Sequence, residues 1–132
     1  MQIIKTIWVN GCFDVLHRGH IELFKFAKSF GKRLIVGIDS DQRVREHKGE
    51  SRPFNTEKDR KFLLEAIKHI DLVVIFESDK ELSGIIETIK PDIMVVGSDW
   101  KGKKIVGGQY AKKIEYFERI DNYSTSQILE RK

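Results

Sequence analysis

The chain has 132 residues, of which 40% are hydrophobic and 33% are charged; this balance suits one globular domain over residues 1–132 and excludes a disordered chain. Its apolar runs are far shorter than the roughly 20 residues that span a bilayer, and its single cysteine suits a reducing compartment, so we expect a cytoplasmic protein without a membrane partner. The net charge is +4, and the lysines and arginines are mixed with acidic residues along the chain. This pattern favours a small anionic substrate over a nucleic acid.

Strand-like and helix-like segments alternate along the chain. Segments rich in β-branched residues predict strands at residues 3–10, 34–38, 72–76, 93–96 and 113–117. Apolar residues at helical spacing predict helices at residues 20–27, 56–70 and 82–89, with a short last helix after Ser124. Residues 40–55 are charged and contain Gly49 and Pro53, so we expect a mobile loop with one helical turn.

This alternation predicts an α/β fold, a single domain whose parallel sheet of about five strands is covered by helices on both faces. Ligands bind such sheets beyond the carboxyl ends of the strands, where the strand order reverses. Functional side chains are therefore expected directly after strands.

Two histidines lie three residues apart between the first strand and the first helix. His17 and His20 flank Gly19 at a predicted helix N-terminus, where backbone amides and the helix dipole attract anions. Their spacing lets both imidazoles reach one phosphate, and the glycine lets a phosphate approach the backbone. For an isolated pair the alternative is surface or packing histidines, and a zinc site lacks further ligands at suitable spacing.

The residues around this pair resemble the signature of the cytidylyltransferase-like nucleotidyltransferases, in which H-x-G-H binds the triphosphate. The matching positions are Gly11, Phe13, Asp14, His17, Gly19 and His20. The resemblance extends along nearly the whole chain and implies a Rossmann-like domain, a homodimer and Mg²⁺ bound through the nucleotide phosphates. It places Gly11, Cys12, Phe13, Asp14 and Gly19 in the nucleotide site. We further hypothesise that Asp14 contacts Mg²⁺ through water.

The resemblance assigns two further basic residues to the phosphates. Lys48 stands where the family uses a loop lysine that closes over the phosphates, although a lysine on a flexible loop is ordinarily solvated. Arg60 resembles the family's helical arginine that contacts phosphate; the alternative is an ion pair with Glu57, three residues earlier.

Gly97, Asp99 and Trp100 follow the fourth predicted strand. The glycine admits a ligand close to the backbone, and the carboxylate of Asp99 can accept hydrogen bonds from a base or ribose. Trp100 offers a stacking face, or packs into the core. Gly-x-Asp-Trp resembles the glycerol-3-phosphate cytidylyltransferases, which implies that all three contact the nucleotide.

Arg119, Ser124 and Thr125 follow the last predicted strand. Hydroxyls and amides at a helix start form a second anion site or simply a helix cap. The spacing resembles the Arg-Thr-Glu-Gly-Ile-Ser-Thr-Thr signature of the cytidylyltransferases and implies phosphate contacts. The match is partial, since Asn122 replaces the glycine and Gln127 replaces the usual lysine.

The substrate signals conflict. Arg119 and Gly-x-Asp-Trp favour CTP and a phosphorylated polyol or sugar such as glycerol 3-phosphate. The segments Arg-Pro-Phe-Asn at residues 52–55, Lys-Pro-Asp at 90–92 and Ile-Val-Gly-Gly at 105–108 instead resemble the heptose-phosphate adenylyltransferases, which use ATP. The preferred interpretation is CTP, the alternative is ATP with a sugar phosphate, and a nucleotide-binding sensor without chemistry is a third.

The resemblance implies a catalytic set that neutralises negative charge on the phosphates: His17, His20, Lys48, Arg60 and Arg119. The acceptor phosphate attacks the α-phosphorus of the nucleotide and pyrophosphate leaves, which requires positioning and charge neutralisation but no covalent intermediate.

Overall fold

The computed structural model describes residues 4–118, which form a parallel sheet with helices on both faces. The strands are β1 (Thr6–Gly11), β2 (Arg33–Asp39), β3 (Leu72–Phe76), β4 (Ile93–Gly97) and β5 (Lys113–Phe117). The helices are α1 (Arg18–Lys28), α2 (Asp41–Lys48), α3 (Glu57–Glu65) and α4 (Asp79–Ile89), and two 3₁₀ turns cover Ser98–Trp100 and Gly108–Tyr110. None of these helices is both long and apolar enough to cross a bilayer.

The strand order is β3-β2-β1-β4-β5, and every neighbouring pair is parallel. From β1 the chain first adds β2 and β3 on one side and then crosses to add β4 and β5 on the other. The order therefore reverses between β1 and β4, where a ligand crevice is expected at the carboxyl edge. The predicted α/β fold with five parallel strands is confirmed.

Each face of the sheet has its own core, because strands buried on both sides carry apolar residues at nearly every position. On one face, Phe24 of α1 and Leu64 of α3 pack against Val9 and Val36. On the other, Leu82 and Ile86 of α4 pack against Trp8 and Met94. The carboxyl edge is thus held between α1 and α3 on one side and α4 on the other.

The loop expected over residues 40–55 is wrong in its first half, where α2 forms. Ser40 caps this helix, its Oγ accepting a hydrogen bond from the Arg43 amide at 3.2 Å, and Val44 is 2% exposed. One buried apolar residue among charged ones leaves no helical stripe in the sequence, so the cap and Val44 were the only signals. The helix ends at Gly49, whose φ of 101° favours glycine.

Two aspartates hydrogen-bond neighbouring strands at the amino edge of the sheet. Asp92, just before β4, accepts a hydrogen bond from the Thr6 amide at 2.8 Å and one from the Lys112 ammonium at 3.1 Å. These two bonds hold the pKa of Asp92 below its usual range. Burial pushes the pKa of Asp71 upwards, but hydrogen bonds from Lys28 and the Leu34 amide outweigh it, so this pKa is also lowered.

We expect the free energy of unfolding to fall in acid as these two carboxylates become protonated. A carboxyl with a lowered pKa in the folded chain stabilises the fold above its unfolded pKa of about 3.9 and loses that contribution as the pH falls. Asp92→Asn keeps an acceptor for the Thr6 amide but removes the charge, so it should lower the free energy of unfolding by about 1 kcal/mol at neutral pH. Urea titrations between about pH 7 and about pH 3 should show the parent losing more stability than the variant; parallel curves would contradict this account.

Candidate active site

A cavity of about 700 Å³ opens at the carboxyl edge where β1 and β4 separate. Gly11 and Cys12 line it at the end of β1, and Gly97 and Trp100 line it after β4. Lys48, the last residue of α2, completes this part of the wall. The structure therefore brings five of the predicted site residues together around one space.

Within the described residues, the cavity carries an excess of basic side chains. Arg43 lies between the carboxylates of Asp39 and Asp79 and forms an ion pair with each. Lys48 and Lys104 also line the cavity, and no described carboxylate lies within ion-pair distance of either. Two lysines without carboxylate partners, facing a cleft, give it a positive potential suited to a phosphorylated ligand.

The segment after β4 offers an exposed aromatic face. Trp100 is 47% exposed and lines the cavity, so it is not the core tryptophan that the sequence left as the alternative. Asp99 is exposed and lies outside the lining. Its carboxylate would stand 2.6 Å from a Cβ at Gly97, so the missing Cβ of Gly97 makes room for this side chain.

The two histidines begin α1 and stack on each other. His17 is the N-cap residue: its Nδ1 accepts from the Gly19 amide at 3.1 Å, and the Nδ1 of His20 accepts from the His17 amide at 3.3 Å. Their ring centroids are 3.8 Å apart. Because both Nδ1 atoms accept, the neutral rings carry their protons on Nε2. The Nε2 of His17 is buried.

The histidine pair lies outside the cavity lining, whereas the turn that precedes it contributes Gly11 and Cys12. Neither His17 nor His20 is among the cavity-lining residues, nor are Phe13, Asp14 and Gly19. The Phe13 ring lies edge-on to His20, with centroids 5.2 Å apart, and within 3.0 Å of the position a Cβ would take on Gly11. Gly11 is therefore required by the packing of Phe13 against the turn.

Asp14 anchors the loop that follows α2. It is 2% exposed, and its two carboxylate oxygens accept from the amides of Phe54 and Asn55, each at 2.7 Å. The Asn55 side chain donates to the carbonyl of Asp14 at 2.6 Å. Asp14 thus ties the first turn to this loop, a task the sequence did not predict, and its water-mediated contact with Mg²⁺ stays a prediction.

Arg60 is buried and joins three segments at the carboxyl edge. It is 1% exposed, and its guanidinium donates to the carbonyls of Cys12, Asp39 and Asn55 at 3.0, 2.8 and 3.0 Å. A fourth bond reaches the Asp41 carboxylate at 2.9 Å.

Both expectations for Arg60 differ from this arrangement. Its carboxylate partner is Asp41 and not Glu57, and the guanidinium does not line the cavity. A phosphate contact through Arg60 stays a prediction that requires these bonds to be exchanged.

Cys12 lines the cavity as a half-buried thiol. Burial raises its pKa above the ordinary value, and the nearby positive charges of Lys48 and Arg60 only partly oppose this. The thiol is therefore protonated at neutral pH and is a weak nucleophile, which agrees with a site that works without a covalent intermediate.

We expect Cys12 to react slowly with iodoacetamide near neutral pH. As the single cysteine of the chain, it can be followed by mass spectrometry, with the urea-unfolded chain as reference. The native rate should be lower than the unfolded rate and should keep rising at higher pH, where the unfolded thiol has levelled off. A native rate equal to or above the unfolded rate would contradict a raised pKa.

Several lining residues were missed by sequence reasoning. They are Asn10, Asp39, Arg43, Asp79 and Lys104. Asn10 ends the first predicted strand and Asp39 directly follows the second, so the strand-end rule could have found both. Lys104 stands beside Lys101 and Lys103, and nothing in the sequence separates it from these neighbouring lysines.

Three predicted residues, Arg119, Ser124 and Thr125, lie outside the described residues. Within residues 4–118, no three His, Cys, Asp or Glu side chains are arranged to hold a metal ion.

Comparison with known proteins identifies relatives over nearly the full chain. A family model described as cytidylyltransferase-like matches residues 8–131. A bifunctional protein HldE from Helicobacter pylori (strain Shi470) is 46% identical over 127 residues, which is 96% of this chain and 27% of that protein. Bifunctional protein HldE from Campylobacter fetus subsp. fetus is 44% identical over 123 residues, 93% of this chain and 27% of that protein. The chain spans about a quarter of the length of these curated relatives.

Solved structures share the fold. A lipopolysaccharide core biosynthesis protein from Thermoplasma volcanium superposes with a TM-score of 0.74 at 25% identity, covering 89% of this chain and 99% of that one. Pantoate-beta-alanine ligase from Francisella tularensis superposes with a TM-score of 0.60 at 19% identity, over 87% of this chain and 59% of that one; at this identity the likeness concerns the fold alone.

Proposed function

Since this chain belongs to the cytidylyltransferase-like family, a family of nucleotidyltransferases, we propose that it transfers AMP from ATP to a sugar phosphate of the heptose class and releases pyrophosphate. The observation that carries the proposal is the position of the cavity. Its lysines and the exposed Trp100 line the same space as Gly11 and Cys12, five residues before the first of the two histidines that begin α1. A phosphate-binding helix start beside a basic cleft with a stacking surface suits a nucleotide and a phosphorylated acceptor together.

The choice of ATP over CTP rests on relatives and sequence segments. The relatives named HldE support ATP and a heptose phosphate better than CTP and a polyol phosphate. Two of the segments that resemble the heptose-phosphate branch are near the site: Asn55 binds Asp14, and Ile105 and Val106 line the cavity. The preference for CTP depended on Gly-x-Asp-Trp and on Arg119, which lies outside the described residues.

The proposed reaction is an in-line displacement at the α-phosphorus. An ionised phosphate oxygen of the acceptor forms a bond to this phosphorus, and the bond to the bridging oxygen of the β-phosphate breaks, so that pyrophosphate leaves with the electron pair. The nucleophile is already charged, so no base is needed. The chain contributes positioning and neutralisation of the charge that builds on the phosphates.

In this proposal His20 donates from Nε2 to the triphosphate, and Lys48 neutralises charge from the cavity. A contact from His17 requires its buried Nε2 to become exposed. Gly97 and Trp100 border the base and ribose. Mg²⁺ is carried by the phosphate oxygens, as is usual for a cation that keeps most of its water shell. The homodimer remains a proposal drawn from the family.

We would test the proposal by Mg²⁺-dependent pyrophosphate release, supplying ATP and CTP separately with heptose 1-phosphate, other sugar phosphates and glycerol 3-phosphate. Release with ATP and a sugar phosphate is the expected result. Release with CTP alone would reinstate the cytidylyltransferase interpretation. Nucleotide binding without release from any pair would favour a sensor, and absence of both binding and release would overturn the proposal.

A further inference from the structure

Asn10 follows the buried residues of β1 and lines the cavity, and the oxygen of its side-chain amide already has a hydrogen-bond partner. Its Oδ1 accepts a hydrogen bond from the Trp8 indole Nε1–H at 2.8 Å. An indole nitrogen can only donate, so this bond fixes which end of the Asn10 amide is oxygen and which is nitrogen. The NH₂ group is the polar end left for the cavity that Asn10 lines.

The indole that holds Asn10 is itself immobile. Trp8 is completely buried and belongs to the core on the α4 face of the sheet. Its ring covers Gly37 on the neighbouring strand so closely that a Cβ there would stand 2.5 Å from the ring. Gly37 is the register partner of Asn10. The absence of a side chain at Gly37 thus lets Trp8 reach the residue that lines the cavity.

Both N–H donors of this amide are available to a ligand. Within residues 4–118, no hydrogen bond joins the Nδ2 of Asn10 to another residue. The two carboxylates of the lining, Asp39 and Asp79, are ion-paired with Arg43. A pair of oriented donors in a half-buried cleft discriminates in favour of ligands that present an oxygen acceptor.

We propose that Asn10 is a substrate-binding residue whose amide donates to an oxygen of a phosphorylated substrate, and that Trp8 is the positioning residue that fixes this amide. The inference rests on the proposed function and adds a specificity determinant to it. The same donors suit an oxygen of the nucleotide or of the sugar phosphate, and the experiment below separates the two.

The decisive variant is Asn10→Asp. An aspartate keeps the size of the side chain and an acceptor for the Trp8 indole, but it replaces the NH₂ donor by a charged acceptor. If Asn10 served only to satisfy Trp8, KM would rise only through repulsion between the new carboxylate and the phosphates, and about 1 M salt should largely screen that repulsion. If it donates to substrate, KM for the contacted substrate should rise about 10- to 100-fold, the range for a lost hydrogen bond to a charged group, while the urea midpoint changes little.

Trp8→Phe tests the positioning role, because it removes the indole donor and leaves an aromatic ring in the core. It should raise the same KM by a smaller factor in the parent and should add little in the Asn10→Asp background. The matched control is Gln42→Glu, an amide-to-acid change of equal charge at an exposed position of α2.

KM is measured for nucleotide and sugar phosphate separately, and calorimetric titration of each ligand gives a readout that does not need turnover. A rise for either substrate in Asn10→Asp that persists at about 1 M salt and is absent in Gln42→Glu supports the inference and names the source of the oxygen. Unchanged KM and affinity for both substrates would overturn it. Failure of the parent to bind or turn over any nucleotide would instead reject the proposed function, which separates the two outcomes.

Discussion

Arg60→Met is expected to lower the free energy of unfolding by about 3–5 kcal/mol, the range for breaking a buried ion pair by removing one partner. Methionine fills a similar volume, but it leaves the carbonyls of Cys12, Asp39 and Asn55 without their donor. Each buried acceptor without a partner costs about 1–3 kcal/mol. The Asp41 carboxylate also loses its ion pair.

Urea denaturation followed by circular dichroism measures this loss, because the five strands within residues 4–118 belong to a single sheet that should unfold as one unit. Arg60→Lys should recover little, because an ammonium cannot reproduce the planar fork that reaches four acceptors. Lys58→Met is the control: it makes the same kind of change at an exposed position of α3 and should stay within about 0.5 kcal/mol of the parent. A loss below about 1 kcal/mol for Arg60→Met would contradict the structural role assigned to Arg60.

His20→Ala is expected to lower kcat about 10²- to 10³-fold, the effect of removing one well-placed donor from a charge-stabilising site. The proton of His20 lies on Nε2, because Nδ1 accepts from the His17 amide. In the proposed reaction this N–H binds the phosphate on which charge builds.

His20→Asn separates this role from helix capping. The asparagine oxygen can take the place of Nδ1 and still accept from the His17 amide, whereas the Nε2–H donor is lost. The asparagine variant should therefore retain the stability of the parent and show the low kcat of the alanine variant. His69→Ala, in the turn after α3, is the control. Turnover of His20→Ala within about tenfold of the parent would remove His20 from the transition state.

Strand positions were predictable because a strand buried on both faces is apolar at nearly every residue. The predictions at residues 72–76 and 113–117 coincide with β3 and β5. Helix lengths were less predictable. The apolar stripe predicted to residue 70 continues beyond α3, which ends at Glu65, because Ile67 and Ile70 pack into the core from the turn that follows.

The candidate site was predictable where it depends on strand ends and local motifs. Gly11, Cys12, Lys48, Gly97 and Trp100 came from such patterns, and all line the cavity. The partners of Arg60 lie up to 48 residues away, and the Trp8–Asn10 bond depends on the space above Gly37. Contacts of this kind arise from packing in three dimensions, and no spacing in the sequence indicates them.

The central claim is that the chain transfers AMP, which carries the α-phosphate of ATP, and not the terminal γ-phosphate. The most direct measurement incubates the protein and Mg²⁺ with a sugar 1-phosphate and ATP labelled either at the α- or at the γ-phosphorus, then separates the products. We predict that the α label enters a nucleotide-sugar and that the γ label leaves in pyrophosphate. Label from the γ position in the sugar product, or no transfer of the α label to any acceptor, would contradict the account.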